Sequence, residues 1–338
     1  MENTRNLRHL RLPAEVRAIL RCPGCGGRLN DRPGGLECAA CETDFPAVDG
    51  VVRFVQVEKY ASSFGFQWNV YARTQLDDDK GHESETDFRN RTGFGPDELR
   101  GKLVLDVGCG MGRFADIASR WGARVVGVDL SAAAEVAARN LADRDAVHIF
   151  RADVFSLPFA PESFDYIYSL GVLHHTPNCE QAFKRLPGLL KPGGTISLWV
   201  YSGYNRWYRM SDLYRRVTHR LPSRWLHALC HLAVPLYYIH QGLRRLPGVG
   251  RPASNLLDLA LPISRHRNAS VRVLDTFDWY SPNYQSKHTY EEVFRWFESS
   301  GLEDLHVMHV PISVRGRRPV EKVASADGRD RLMESRAS

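Results

Sequence analysis

The sequence predicts an α/β protein built on a mostly parallel sheet with helices on both faces. A small cysteine-rich module precedes the sheet, and a helical insertion follows its fifth strand. Three observations carry this. Short apolar runs alternate with helical patterns over residues 101–201; four cysteines pair up near the N-terminus; and the alternation stops between 202 and 285. Short buried strands separated by helices need crossover connections, and crossovers make a parallel sheet.

The strand runs fall at 103–107 (LVLDV), 124–128 (RVVGV), 147–150 (VHIF), 165–169 (DYIYS) and 195–200 (TISLWV), with two later runs at 304–310 and 312–315. Phe114, Ile117, Ala118 and Trp121 mark one face of a helix. Ser131 caps the next helix, and Asn178 with Gln181 opens another in capping-box style. Pro187 is expected to kink that helix near its end. Thr289 with Glu292 is a second capping box, ahead of the apolar face Tyr290, Val293, Phe294 and Phe297. Gly301 stands where a C-cap glycine belongs. These signals divide the chain into a module over 1–57, a helical linker or lid over 58–100, a main domain over 101–318 with its insertion at 202–285, and a flexible tail over 319–338. Phe66, Gln67 and Trp68 either fold over a pocket as a lid or lie on an exposed linker.

The chain has 338 residues, 43% hydrophobic and 25% charged, which excludes a disordered chain, a collagen-like chain and a disulfide-stapled scaffold. No apolar run approaches the ~20 residues of a membrane span. The opening MENTRNLRHLRLP lacks the apolar stretch of a secretory leader, so a cytoplasmic location is expected. The net charge of +6 is concentrated in residues 201–270, which hold eleven arginines, no lysine and two acids, Asp212 and Asp258. Such a block suits an anionic partner, whether nucleic acid, lipid headgroup or phosphorylated substrate, or else a solvated helical surface.

Cys22, Cys25, Cys38 and Cys41 read C-x2-C-x12-C-x2-C, a zinc-ribbon spacing. Gly24, Gly26 and Gly27 let the backbone fold around an ion. Four thiolates fill a tetrahedral shell and leave no position for water, so the zinc is expected to be structural. Cys109, Cys179 and Cys230 are scattered and read as ordinary thiols.

Between the first strand and its helix lies VLDVGCGMGRF (104–114), with glycines at 108, 110 and 112. Asp129 follows Gly108 by 21 residues at the end of the next strand. An acid at that distance suits the two hydroxyls of a ribose. A dinucleotide needs G-x-G-x-x-G; here the third glycine comes one residue early, and Asp106 stands just before the loop. A carboxylate there disfavours a phosphate and favours a cation, and S-adenosylmethionine carries an ammonium and a sulfonium.

Residues 101–200 resemble the class I S-adenosylmethionine-dependent methyltransferases. VLDVGCGMG resembles their cofactor loop, RADVFSLPFAPESFDYIYSLGVLHHTPN (151–178) their adenine-binding and active-site stretch, and KPGG (191–194) the turn before the fifth strand. The resemblance implies a seven-stranded sheet whose last strand runs antiparallel. It puts Asp106, Gly108, Cys109, Gly110 and Gly112 in the loop, Asp129 and Leu130 at the ribose, and Asp153 at the adenine amino group. Val154 then touches the ring, with Ser169 and Leu170 nearby. The N-terminal module, through FPAVDGVVRFV (45–55), is similar to the zinc ribbon of the activator subunit of tRNA methyltransferases. Residues 278–302 resemble the end of a group of bacterial small-molecule methyltransferases.

Methyl transfer is an in-line displacement, which needs alignment and dryness and, for many acceptors, a base. His174 and His175, after the fourth strand, have the right ordinary pKa, and Tyr284 and His288 lie before the last helix. No acidic pattern calls for a catalytic metal. Leu226, Leu229, Leu232, Ala233, Leu236 and Ile239 form a stripe that serves as an apolar wall over the acceptor, as core or as a homodimer contact. The leading expectation is methylation of a small acceptor, anionic or amphiphilic, at O, N or C. The alternative is an rRNA or tRNA base methyltransferase that reads RNA with its zinc ribbon and Arg-rich insertion. Against it, the motif D/N/S-P-P-Y/F/W is absent, and Ser169-Leu170-Gly171-Val172 stands in its place. A third reading is a non-catalytic cofactor-binding scaffold.

Overall fold

The structure, a computed structural model, describes residues 12–55, 60–77, 82–204 and 209–320. Most of the tail expected at 319–338 lies outside them. Helix α1 (Ala14–Ile19) leads into four short antiparallel strands: β1 (Leu29–Arg32), β2 (Gly35–Cys38), β3 (Asp44–Val48) and β4 (Val51–Arg53). Helices α2 (Ser62–Val70), α3 (Glu83–Thr92) and α4 (Pro96–Leu99) come next. The alternating part is β5 (Leu103–Val107), α5 (Arg113–Arg120), β6 (Arg124–Asp129), α6 (Ala133–Asn140), β7 (Val147–Arg151), β8 (Phe164–Leu170), α7 (Cys179–Lys184) and β9 (Leu190–Trp199). The insertion is helical: α8 (Arg209–Thr218), α9 (Ser223–Cys230), α10 (Ala233–Arg244), α11 (Gly250–Ala260) and α12 (Ala269–Tyr280). Helix α13 (Tyr290–Ser299) and strands β10 (Glu303–Val307) and β11 (Ser313–Arg317) follow.

Every residue of β5 is buried, and its side chains alternate between two cores. Leu103, Leu105 and Val107 pack with Phe183 of α7 and Phe297 of α13. Val104 packs with Phe88 of α3 and Ile117 of α5. Both faces are covered, which is why the run is apolar without a break. Strands β7, β6, β5, β8 and β9 are parallel; β11 is antiparallel to β9 and to the edge strand β10.

The sheet has eleven strands rather than the seven expected. The four strands of the module extend it, because β4 pairs in parallel with β7, Val52 opposite Phe150 and Arg53 opposite Arg151. Without β4, β7 would leave an open row of backbone donors and acceptors. Val51 and Val52 are both fully buried by this pairing.

Local signals explain the helix ends. Asn178 Oδ1 accepts from the Gln181 amide at 2.9 Å. Thr289 and Glu292 exchange both bonds of a capping box. Ser131 Oγ accepts from the Ala133 amide at the start of α6. Gly301, at φ +73°, ends α13. Pro187 does not kink α7: the helix has already ended at Lys184, and Pro187 opens a separate 3-10 turn. The segment expected as a helical linker or lid holds α2, α3 and α4, and Phe88 and Phe94 in it are buried in the second core. The stripe on α9 and α10 is split, with Leu226 and Ala233 buried but Leu229, Leu232 and Ile239 exposed. It is therefore not one continuous wall. Among the described residues no helix is long and apolar enough to cross a membrane.

One ion network ties the module to the main sheet. Glu135 of α6, 5% exposed, accepts from Arg53 Nε at 2.8 Å and lies 3.5 Å from Arg151 Nη1. Removing this carboxylate leaves two clustered guanidiniums without their common anion. Glu135→Ala is expected to lower the unfolding free energy by about 3 kcal/mol, read by urea denaturation. A loss below about 1 kcal/mol would mean the network contributes no more than a surface pair.

Candidate functional site

Strands β5, β6 and β8 end at one edge of the sheet, and a cavity of about 290 Å³ opens there. Its floor is the glycine loop. Gly108 sits at φ +81°, and a Cβ there would fall 2.3 Å from Val172. Gly110, at φ +54°, faces Trp68, whose indole would lie 3.2 Å from an added Cβ. The loop therefore has to be glycine for two reasons, backbone conformation and space.

Asp129 holds the loop to the next turn. Its Oδ2 accepts from the Gly110 amide at 3.0 Å, and its Oδ1 accepts from the Ser131 amide and hydroxyl, each at 2.8 Å. Burial pushes its pKa up, and the bonds from Ser131 and Gly110 pull it back down. Of the cofactor residues expected from sequence, Gly108, Cys109, Gly110, Asp129, Leu130, Val154 and Leu170 line the cavity.

Four expected residues lie behind the wall instead. Asp106 is 3% exposed and accepts from the Tyr168 hydroxyl at 3.0 Å; burial pushes its carboxyl up to about 8. Gly112, at φ +92°, begins α5 and would clash with Leu141 if it carried a Cβ. Asp153 turns its side chain to the Phe155 amide, and Ser169 donates to the Val107 carbonyl.

The two adjacent histidines part company. They sit in a 3-10 turn, Leu173–His175, where neighbouring side chains point roughly 120° apart. His175 lines the cavity. Its Nδ1 donates to the Tyr284 carbonyl at 3.0 Å, which leaves the Nε2 lone pair free. Nε2 lies 4.0 Å from Asp278 Oδ2, and that same oxygen accepts from the Tyr201 hydroxyl at 2.6 Å. Burial holds the imidazole below its ordinary pKa, against the pull of Asp278. His175 thus lines the cavity with an imidazole whose tautomer is set by the Tyr284 carbonyl, and Asp278 lies 4.0 Å from its other nitrogen.

His174 points elsewhere. It is fully buried, stacks on Tyr201 with centroids 3.9 Å apart, and neither ring nitrogen has a hydrogen-bond partner among the described residues. His288 does not reach the cavity, because Ser286 and Glu292 hold its two nitrogens at the start of α13. Tyr284 contributes its backbone carbonyl to His175, while its ring is 43% exposed beside Tyr60.

Several lining residues carried no sequence signal. Tyr60 and Phe64 close the cavity from the lid, with Phe64 packed on His175 at 4.9 Å. Gln67 and Trp68 line it as expected, while Phe66 turns to Phe277 and His227 of the insertion. Gln67 is 3% exposed, and its Oε1 has no hydrogen-bond partner among the described residues. On the cavity wall also lie Arg91, Arg113 and Asp87. Arg91 Nε and Arg113 Nη2 share the Asp87 carboxylate at 2.7 and 3.2 Å, and the Arg91 guanidinium lies 3.5 Å from the Trp199 ring centroid. Arg91 Nη1 is buried with no hydrogen-bond partner among the described residues. Asp275 and Asp278 of α12 complete the wall.

In the module, the sulfurs of Cys22, Cys25, Cys38 and Cys41 lie within 4.8 Å of one another, close enough to hold one metal ion. Cys22–Cys41 and Cys25–Cys38 are 3.7 and 3.4 Å apart. A tetrahedral ion with ~2.3 Å bonds to sulfur needs edges of ~3.8 Å. The Gly27 and Ala40 amides donate to Cys25 and Cys38. Cys109, Cys179 and Cys230 are buried and far from forming such a set.

The pH dependence of stability isolates His174. Its folded pKa is held well below the ordinary 6.5 by burial, so the unfolded chain binds the extra proton as pH falls. Asp106 and Asp275, raised by burial, act in the opposite direction. The comparison is therefore with His174→Phe. Relative to wild type, the variant should gain up to about 1.4 kcal/mol per pH unit between about pH 6.5 and about pH 5.5 in urea titrations. No relative gain would mean that His174 titrates normally in the folded state.

Residues 105–198 match the family model described as a methyltransferase domain. The ubiquinone biosynthesis O-methyltransferase of Coxiella burnetii is 36% identical over 110 residues, covering 32% of this chain and 46% of that protein. A mouse protein named "Probable tRNA methyltransferase 9B" is 31% identical over 138 residues, 39% of this chain and 30% of its own. The chain thus spans less than half the length of these relatives. Among solved structures, the phosphoethanolamine N-methyltransferase 2 of Haemonchus contortus overlays with a TM-score of 0.43 at 19% identity, over 78% of this chain and 47% of that one. Over residues 105–198 the chain is similar to methyltransferases, and its α/β architecture is class I methyltransferase-like.

Proposed function

We propose that the protein is an S-adenosylmethionine-dependent methyltransferase acting on a small acceptor, with His175 as its base. The observation that carries this is the cavity where the glycine loop, Asp129 and a neutral His175 meet. The cofactor fits the donor set. Asp129 would take the ribose hydroxyls, and Leu130 and Val154 the adenine. Gln67 Oε1, buried with no hydrogen-bond partner among the described residues, is an acceptor for an ammonium group, and the glycine loop, packed closely on Val172 and Trp68, lines the same cavity. Arg91 and Arg113 give one end of the cavity a positive charge suited to a carboxylate, on the cofactor or on the acceptor. When bound, the cofactor supplies an electrophilic methyl group on a sulfonium.

The chain's own residues then do three things. Tyr60, Phe64 and Trp68 cover the cavity and keep water out. The Tyr284 carbonyl fixes the His175 tautomer, so that Nε2 can take a proton from an acceptor hydroxyl, amine or carbon acid. Asp278 steadies the imidazolium and is itself held by Tyr201. The matched relatives are named for a quinone pathway and for tRNA, so the domain alone does not choose the acceptor. The helical cover over the cavity favours a small one.

The test uses labelled S-adenosylmethionine with small-molecule and RNA fractions of a cell extract. Label is expected in a small molecule, and His175→Gln should lower turnover at least ~100-fold with cofactor affinity kept. Asp129→Ala should weaken cofactor binding at least ~10-fold by calorimetry. Label in RNA would overturn the acceptor class. Cofactor binding with no transfer to either fraction would favour a scaffold.

We further infer that the four cysteines hold one structural zinc ion, since a closed tetrahedral thiolate set leaves no open position. Metal analysis should find about one zinc per chain, with Cys22→Ser losing it and unfolding at lower temperature. A metal-free protein with an unchanged melting curve would contradict this.

A further inference from the structure

The insertion turns an unusual surface outward. Of the nineteen large apolar side chains exposed among the described residues, thirteen lie between 213 and 261. Val217 is 67% exposed, Trp225 61%, Leu229 54% and Val249 69%. The insertion already has its own core. Helices α8, α9 and α10 all rest on α12, where Leu226 and Cys230 pack with Val273, Leu274 and Phe277. The outward apolar side chains are surplus to that core.

The charge on this surface has one sign. Every exposed side chain with a fixed charge between 210 and 261 is an arginine: 216, 220, 224, 244, 245 and 251. The two acids are taken up, Asp212 by Arg215 and Lys287, Asp258 by Arg265 and His240. The arginines also stand beside apolar residues at four-residue spacing: Arg216–Val217, Arg220–Leu221 and Arg224–Trp225. Such pairs, on α8, in the turn after it and on α9, offer an apolar body and a cationic tip side by side.

We propose that this surface docks on an anionic lipid bilayer. A second copy of the chain would bring arginine against arginine, with no free acid to pair them. A nucleic acid would accept the arginines but leave the leucines and valines in water. A bilayer with anionic headgroups takes both, apolar groups at the acyl boundary and guanidiniums on the phosphates. The contact lies on the bilayer and does not span it, as no described helix is long and apolar enough to cross. Beneath this surface α12 supplies Leu274, Asp275 and Asp278 to the cavity wall, so docking would set the cavity close to the lipid. The inference stands whether or not the cavity transfers methyl groups.

The test is sedimentation of the full chain with vesicles of phosphatidylcholine, with and without about one third phosphatidylglycerol. Anionic vesicles should bind at least about tenfold more protein than neutral ones, with binding weakened by salt. Trp225→Glu combined with Leu229→Glu should lose about tenfold or more of that binding at an unchanged melting temperature. Arg220→Glu with Arg224→Glu probes the same surface without altering its apolar residues and should abolish the anionic preference. No vesicle binding, or binding that both variants retain, would overturn the proposal. So would a stable dimer, or an RNA complex, that these substitutions disrupt while vesicles remain unbound.

Discussion

The half-buried carboxylate of Asp129 is the constraint on which the site depends. It stands at the end of β6, where burial disfavours its charge. Three hydrogen bonds from Gly110 and Ser131 offset part of that cost. In doing so they fix the glycine loop against the β6–α6 turn. The loop can come so close only because Gly108 and Gly110 carry no side chains, with Val172 and Trp68 occupying the space. Everything else at the site is placed relative to this junction: the lid helix above it, the 3-10 turn with His175 beside it, and α12 across the cavity.

Local chemistry made much of this legible in the sequence. The glycine loop, Asp129, the caps at Asn178 and Thr289 and the C-cap at Gly301 each depend on residues within a few positions of one another. The central strands of the main sheet were legible because β5, like most of β6 and β8, is a short run buried on both faces. What was not legible comes from distant pairing. The run Val51–Arg53 is too short to announce that it adds a parallel strand to β7. Arg91, Tyr60 and Asp278 reach the cavity from three separate segments, and nothing in their neighbourhoods marks them. The sequence also offered two histidines in a row with equal claims. Only the 3-10 geometry, together with the Tyr284 carbonyl, separates His175 from His174.

The module and the insertion bracket the sheet differently. The module is built into the sheet edge through β4 and through the Arg53–Glu135–Arg151 network, so its folding and that of the main domain are linked. Val51 packs with Cys109 of the glycine loop and Ala134 of α6, which carries the linkage toward the cofactor end of the cavity. The insertion instead meets the cavity through one helix, α12, and keeps its other helices outside. That division separates a side built into the sheet from a side whose outer surface is apolar and cationic.

The most direct measurement is a crystal structure with S-adenosylhomocysteine. The account predicts ribose hydroxyls on Asp129, the adenine between Leu130 and Val154, and the sulfur facing the space in front of His175 Nε2. A ligand bound with its sulfur turned away from His175, or with Asp129 still closed on Gly110 and no ribose contact, would contradict it.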